Sequence, residues 1–114
     1  MKVSNVTVWV REPALLRDWY VKHLGFRAEI ETARFVTLGA DGETTIAFHE
    51  GEPLVNPSAI QFHIEVSDLD ALFMAMRASG VSFDGEPEVR PWGVRSVSCL
   101  DPAGHSVELV VASQ

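Results

Sequence analysis

One carboxylate near the end of the chain either does chemistry or does nothing. In DPAGHSVELVV, residues 101–111, Asp101, Pro102, Ala103 and Gly104 give a turn signal, after which Val107, Leu109 and Val111 alternate with Ser106, Glu108 and Val110. Alternation of period two is the mark of a strand, so Glu108 stands on the face opposite Val107 and Leu109. On a cavity wall it serves as a general base or as the acceptor for a donor on a ligand. On a solvent face it is an ordinary strand residue. Asn5, Thr7 and Trp9 share one face of the first extended run in the same way, which offers hydrogen bonds beside an aromatic wall suited to a planar or partly apolar ligand. Cys99 lies on a strand with no basic residue at an activating spacing, so it reads as a small buried apolar group. His23 falls near a helix end, where a cation suits the helix dipole, and His105 belongs to the turn after Gly104; neither requires a catalytic role.

Bulk properties exclude several functions. At 114 residues the chain makes one domain with a single-core size, and its 46% hydrophobic content marks a folded protein. Nine basic against sixteen acidic residues give a formal charge of -7, which repels phosphate backbones and anionic bilayers, so neither nucleic acid nor membrane is expected as a partner. One cysteine allows no intrachain disulfide and no cysteine cluster for zinc, which fits a reducing cytoplasm. The N-terminal run MKVSNVTVWV lacks the apolar stretch of a signal peptide, and no segment approaches the length of a membrane span.

The elements that must position these residues are written twice. Val6, Val8 and Val10 predict a strand over residues 3–10; Pro13 opens a helix whose Leu15, Leu16, Trp19 and Leu24 recur at helical spacing until Gly25. Extended runs follow at 26–31, 34–39 and 44–50, with Asp41-Gly42 turning the last two into a hairpin. After the Pro- and Gly-bearing connector 51–58, Phe62, Ile64 and Val66 mark a new strand, Ser67 and Asp70 suggest a helix cap, and Leu69, Leu72, Phe73 and Met76 form a helical stripe ending before Gly80. VSF, VRSVSCL and SVELVV complete the set. The chain therefore reads as an α+β protein of two tandem β-α-β-β-β modules, residues 1–50 and 59–112, each with its helix covering one face of a sheet.

This repeat, together with WYVKHLGF at 19–26, EVSDLDALF at 65–73, WGVR at 92–95 and DPAGHSVEL at 101–109, resembles the glyoxalase, bleomycin-resistance and extradiol-dioxygenase superfamily, the vicinal oxygen chelate proteins. The resemblance covers residues 3–111 and implies curved mixed sheets around a cup, helices outside, and a homodimer. In metal-dependent members, the first and last strands of each module supply ligands to one divalent ion. Those positions here are Asn5, Ala47, Gln61 and Glu108, of which only Glu108 is ionisable. A divalent ion needs charged carboxylates or imidazoles to offset its dehydration, so on the chemistry of these side chains no metal cofactor is expected at the usual place. The amides of Asn5 and Gln61 then donate to Glu108 and form a polar floor.

His49 and His63 lie two residues beyond positions 47 and 61, so each shares a strand face with a ligand position. They read as hydrogen-bonding residues of the cup wall, as ordinary half-buried histidines, or as a displaced donor set with Glu108 for zinc, nickel, manganese or iron. Trp92 is placed at the cup mouth, and Arg95 either orients an anionic group of the ligand or makes a surface ion pair. Two functions result. One is a cytoplasmic small-molecule binding or sequestering protein of the bleomycin-resistance type without the family metal. The other is a lyase, isomerase or dioxygenase that uses the displaced ion, or Glu108 alone as the base.

Overall fold

A computed structural model describes residues 1–39 and 43–111, so the Asp41-Gly42 turn lies outside the described residues. The chain divides into two compact units, Met1–Asn56 and Pro57–Gln114. No helix of the described residues is long and apolar enough to cross a membrane.

The first unit contains β1 (Asn5–Val10), α1 (Pro13–Leu24), β2 (Arg27–Thr32), β3 (Phe35–Gly39) and β4 (Thr45–Glu50), with sheet order β1-β4-β3-β2. β1 and β4 are parallel and the other pairs antiparallel. Pro13, with its fixed φ, opens α1 without a side-chain cap, and Gly25 closes it at φ 68°, a left-handed conformation that glycine adopts without strain. The helix buries Leu16 and Tyr20. Tyr20 stacks on Phe26 and packs against Phe48, their ring centroids 5.7 and 5.5 Å from its own, which fixes the helix-covered face of the sheet as that of Val8, Val10, Val36, Leu38, Ile46 and Phe48. Each such side chain contributes roughly 1.5–3 kcal/mol by leaving water. The opposite face carries Asn5, Thr7, Trp9, Phe35, Thr37, Thr45, Ala47 and His49.

The second unit contains a 3₁₀ turn (Pro57–Ala59), β5 (Gln61–Val66), α2 (Leu69–Ala78), β6 (Glu88–Val89), β7 (Arg95–Leu100) and β8 (Ser106–Val111), with sheet order β5-β8-β7-β6. β5 and β8 are parallel. Leu69, Phe73 and Met76 of α2 are buried, as are Phe62, Val97, Cys99, Val107 and Leu109 on one face of the sheet. The N-cap of α2 is Asp68, whose carboxylate accepts the Ala71 N–H at 3.1 Å, one residue from the cap expected at Ser67. The strand expected at VSF is absent. Phe83 makes a single bridge to Cys99 and an edge-to-face contact with Phe73, and the edge strand forms later, at Glu88–Val89. The apolar Phe83 ring is taken by the helix, while Asp84 holds to β7 through Ser98, its N–H donating to the Ser98 carbonyl and its Oδ1 accepting the Ser98 N–H, both at 2.9 Å.

Both units therefore realise β-α-β-β-β and the α+β class. The DPAG turn is held from inside: buried Asp101 accepts the N–H groups of Ala103 and His105 at 2.9 and 3.1 Å, and its other oxygen lies 2.8 Å from His105 Nδ1. That pair gives His105 a structural task, as its turn position suggested.

Candidate functional site

The open face of each sheet is built from equivalent positions. In the first unit the register aligns Asn5 with Thr45, Thr7 with Ala47 and Trp9 with His49; in the second it aligns Gln61 with Ser106, His63 with Glu108 and Glu65 with Val110. The two amides occupy matching places and make matching contacts with opposite polarity. Asn5 donates through Nδ2 to Thr7 Oγ1 at 2.7 Å and accepts the Thr45 hydroxyl at 2.6 Å. Gln61 accepts His63 Nε2 at 2.8 Å and donates to Ser106 Oγ at 3.0 Å. Each amide ties its strand to the parallel neighbour and to the residue two positions along.

Glu108 is the chemical centre of the second unit and is only 4% exposed. Its Oε1 accepts the Ser96 hydroxyl at 2.6 Å, and Oε2 lies 3.3 Å from His63 Nε2. Ser96 Oγ in turn accepts Arg90 Nε at 2.9 Å, and Arg90 continues to Glu88 at 2.8 Å. A guanidinium one hydroxyl away offsets the cost of burying the carboxylate. Donor polarity is fixed along this chain: Arg90 gives to Ser96, Ser96 gives to Glu108, and His63 Nε2 must carry its proton because it faces a carboxylate and an amide oxygen.

These contacts correct the expected floor. The NH2 groups of Asn5 and Gln61 donate to Thr7 and Ser106, and Glu108 is served by Ser96 and His63 instead. Ser96 and Arg90 went unread in the sequence. Ser96 shares the strand face of Glu108 by register, a signal available from VRSVSCL, whereas Arg90 reaches the site from the loop after β6 and carries no periodic signature.

Other candidates are distributed as follows. His49, on β4, donates through Nδ1 to the Glu50 carbonyl at 2.8 Å and lies between the rings of Trp9 and Phe35. Trp92 is 63% exposed on the β6–β7 loop, which is closed by Gly93 at φ 92°. Arg95 alternates onto the α2 side of its sheet, with Val97 and Cys99. Both of its terminal nitrogens bond Asp70, at 2.7 and 3.1 Å, so the ion pair displaces the ligand-orienting role. Burial among apolar neighbours, with Asp101 and Asp84 near, pushes the Cys99 thiol up to about 12, which removes it as a nucleophile.

A divalent ion does not fit the four family positions. Ala47 is fully buried and offers a methyl group, the two amides are engaged as described, and both oxygens of Glu108 already face donors. Of the displaced set, His49 belongs to the first unit and His63 and Glu108 to the second. Within either unit, no three His, Cys, Asp or Glu side chains among the described residues gather so as to hold an ion.

A family model described as Glyoxalase/Bleomycin resistance protein/Dioxygenase superfamily matches residues 2–109. The chain belongs to that superfamily. Among solved structures of the superfamily's fold, a member from Sphaerobacter thermophilus is 27% identical with a TM-score of 0.77, each chain covered to 98%. TnmS3, an antibiotic binding protein from a Streptomyces species, is 24% identical with a TM-score of 0.83, covering 99% of this chain and 97% of its own. A bleomycin resistance determinant encoded on transposon Tn5 is 19% identical with a TM-score of 0.77 over 100% of both chains. The last two likenesses show the fold alone. No curated protein matches the chain.

Proposed function

We propose that this superfamily member is a small-molecule binding protein of the bleomycin-resistance type that works without the family's divalent ion. One observation carries the reading: at the four positions where an ion would be held, the side chains are a methyl group, two amides bonded to their neighbours and one carboxylate already served by Ser96 and His63. Each unit offers its own open sheet face for binding, that of Asn5, Thr7, Trp9 and His49 in the first and that of Gln61, His63 and Glu108 in the second. The bleomycin and antibiotic functions named for two structural relatives support the same class of ligand. The test is elemental analysis of purified protein, followed by ligand binding before and after chelation. Substoichiometric metal and unchanged binding are expected; one tightly held ion per site, lost together with binding on chelation, overturns the reading.

The protein is further proposed to act as a cytoplasmic homodimer. Val6, Ile30, Trp92 and Leu100, outside the proposed ligand platform, are large apolar side chains left 40 to 63% exposed in the single chain. Light scattering at micromolar concentration that gives the monomer mass contradicts the dimer.

A second reading, a lyase, isomerase or dioxygenase of the superfamily, is favoured by the imidazole of His63 standing 3.3 Å from a buried carboxylate, an arrangement suited to moving a proton. Under it, Glu108→Gln abolishes turnover while the fold persists. Full activity of that variant removes this reading.

A further inference from the structure

We infer that the ligand is a flat, uncharged aromatic molecule bearing an O–H or N–H donor, and that it lies against Trp9 with its donor on His49 Nε2. The inference rests on the binding reading above and names the chemistry of its ligand.

The tautomer of His49 supplies the first step. A backbone carbonyl oxygen can only accept, so the 2.8 Å contact with Glu50 puts the proton of the neutral ring on Nδ1. Nε2 then presents a lone pair, and no described residue bonds it. A ligand meeting that nitrogen must donate.

The setting of the imidazole supplies the second step. Trp9, His49 and Phe35 are register partners on three adjacent strands, so their rings form one row across the sheet. Centroid separations are 5.9 Å from Trp9 to His49 and 5.7 Å from Phe35 to His49. The indole is 49% exposed, and it lies so close to the chain that a Cβ at Gly51 would come within 2.4 Å of Trp9 Cδ1. The backbone at Gly51 thus sits against the ring, and a half-exposed aromatic plane is what a flat ligand stacks on. The next row, Thr7, Ala47 and Thr37, is small and level beside it.

Charge supplies the third step. None of Asn5, Thr7, Trp9, Phe35, Thr37, Thr45 and Ala47 ionises, and Arg34, the cation next to Phe35 in the chain, pairs with Glu50 at 3.5 Å. A chain of formal charge -7 gives a carboxylate no long-range help. His63 differs in its own unit, where Nε2 carries the proton toward Gln61 and Glu108.

Three naphthalenes separate these demands: 2-naphthol donates, 2-methoxynaphthalene cannot donate, and 2-naphthoate is an anion. They are titrated into the whole chain at about pH 8, with imidazole nitrogen and indole resonances followed by magnetic resonance. The free protein is expected to show His49 protonated at Nδ1. Naphthol should bind roughly three- to tenfold more tightly than its methyl ether, the worth of one neutral hydrogen bond, and naphthoate should bind most weakly. His49→Phe should erase the preference for naphthol and keep the ether bound, while Gly51→Ala should weaken both by tilting the indole. Naphthoate binding as tightly as naphthol, a preference that survives His49→Phe, or an Nε2-protonated His49 overturns the inference. So does failure of all three to move these resonances, as when a second copy of the chain covers the face. Equal affinity for all three ends the donor claim and leaves the binding reading intact, since that reading answers to metal analysis.

Discussion

At the scale of single residues, Glu108 shows how a side chain flagged by alternation acquires its meaning from partners that alternation does not reveal. Period two placed it opposite Val107 and Leu109, which is where it stands. Its neighbours were not equally legible, because a hydroxyl on the next strand and a guanidinium on a loop meet it through register and loop path, neither of which is written in local spacing. Ser96→Ala tests that partnership. It strips Oε1 of Glu108 of its donor and Arg90 Nε of its acceptor at a buried position, so a loss of about 1–3 kcal/mol in chemical denaturation is expected, against near-zero loss if the carboxylate were solvated. Cys99 makes the second residue-level prediction, and its sign can be worked out. The folded thiol is raised to about 12 from an unfolded value near 9.0. Above the lower value the unfolded chain loses a proton that the folded chain keeps, so stability is full below pH 9 and falls as pH rises towards 12. Thiol alkylation of native protein should be slow near neutral pH, and Cys99→Ala should flatten the alkaline part of the stability profile.

At the scale of elements, the duplicated order was readable because each signal had a local cause. Pro13 and Gly25 bracket α1, Gly80 at φ 96° follows α2, and the strands of the first unit fall within two residues of their expected bounds. VSF failed as a strand for a tertiary reason: the Phe83 ring packs on Phe73 of α2, and the segment makes one bridge, to Cys99, rather than a full ladder. Arg95 illustrates the same limit, since its strand face is set by parity with Val97 and its partner lies 25 residues earlier on α2. The two helix starts differ in a way that stability can measure. α2 is capped by the Asp68 side chain, whereas Glu12 at the start of α1 makes no side-chain cap and Pro13 opens that helix. Asp68→Ala should cost about 1 kcal/mol, and Glu12→Ala should leave the denaturation midpoint where it was. Equal losses would show that both helices depend on their first carboxylate.

At the scale of the whole molecule, the superfamily's fold is retained while the proposed function dispenses with its ion, and thermodynamic linkage turns that proposal into a measurement on the intact protein. An ion that binds only the folded state adds RT ln(1 + [L]/Kd) to stability, about 4.1 kcal/mol when its concentration is a thousand times Kd. For a chain of 114 residues, each kcal/mol moves the melting temperature by several degrees, roughly 4. A resident site of carboxylates and imidazoles would therefore announce itself as a large upward shift when zinc, nickel, manganese or iron(II) is added to chelator-treated protein. With Ala47 contributing a methyl group and the oxygens of Glu108 facing Ser96 and His63, no shift is expected from any of the four ions. Should one of them raise the melting temperature, Glu108→Gln discriminates between explanations: a shift that disappears in the variant places the ion at the family position and ends the metal-free reading, while a shift that persists assigns the ion to the acidic surface and leaves the open face to its ligand.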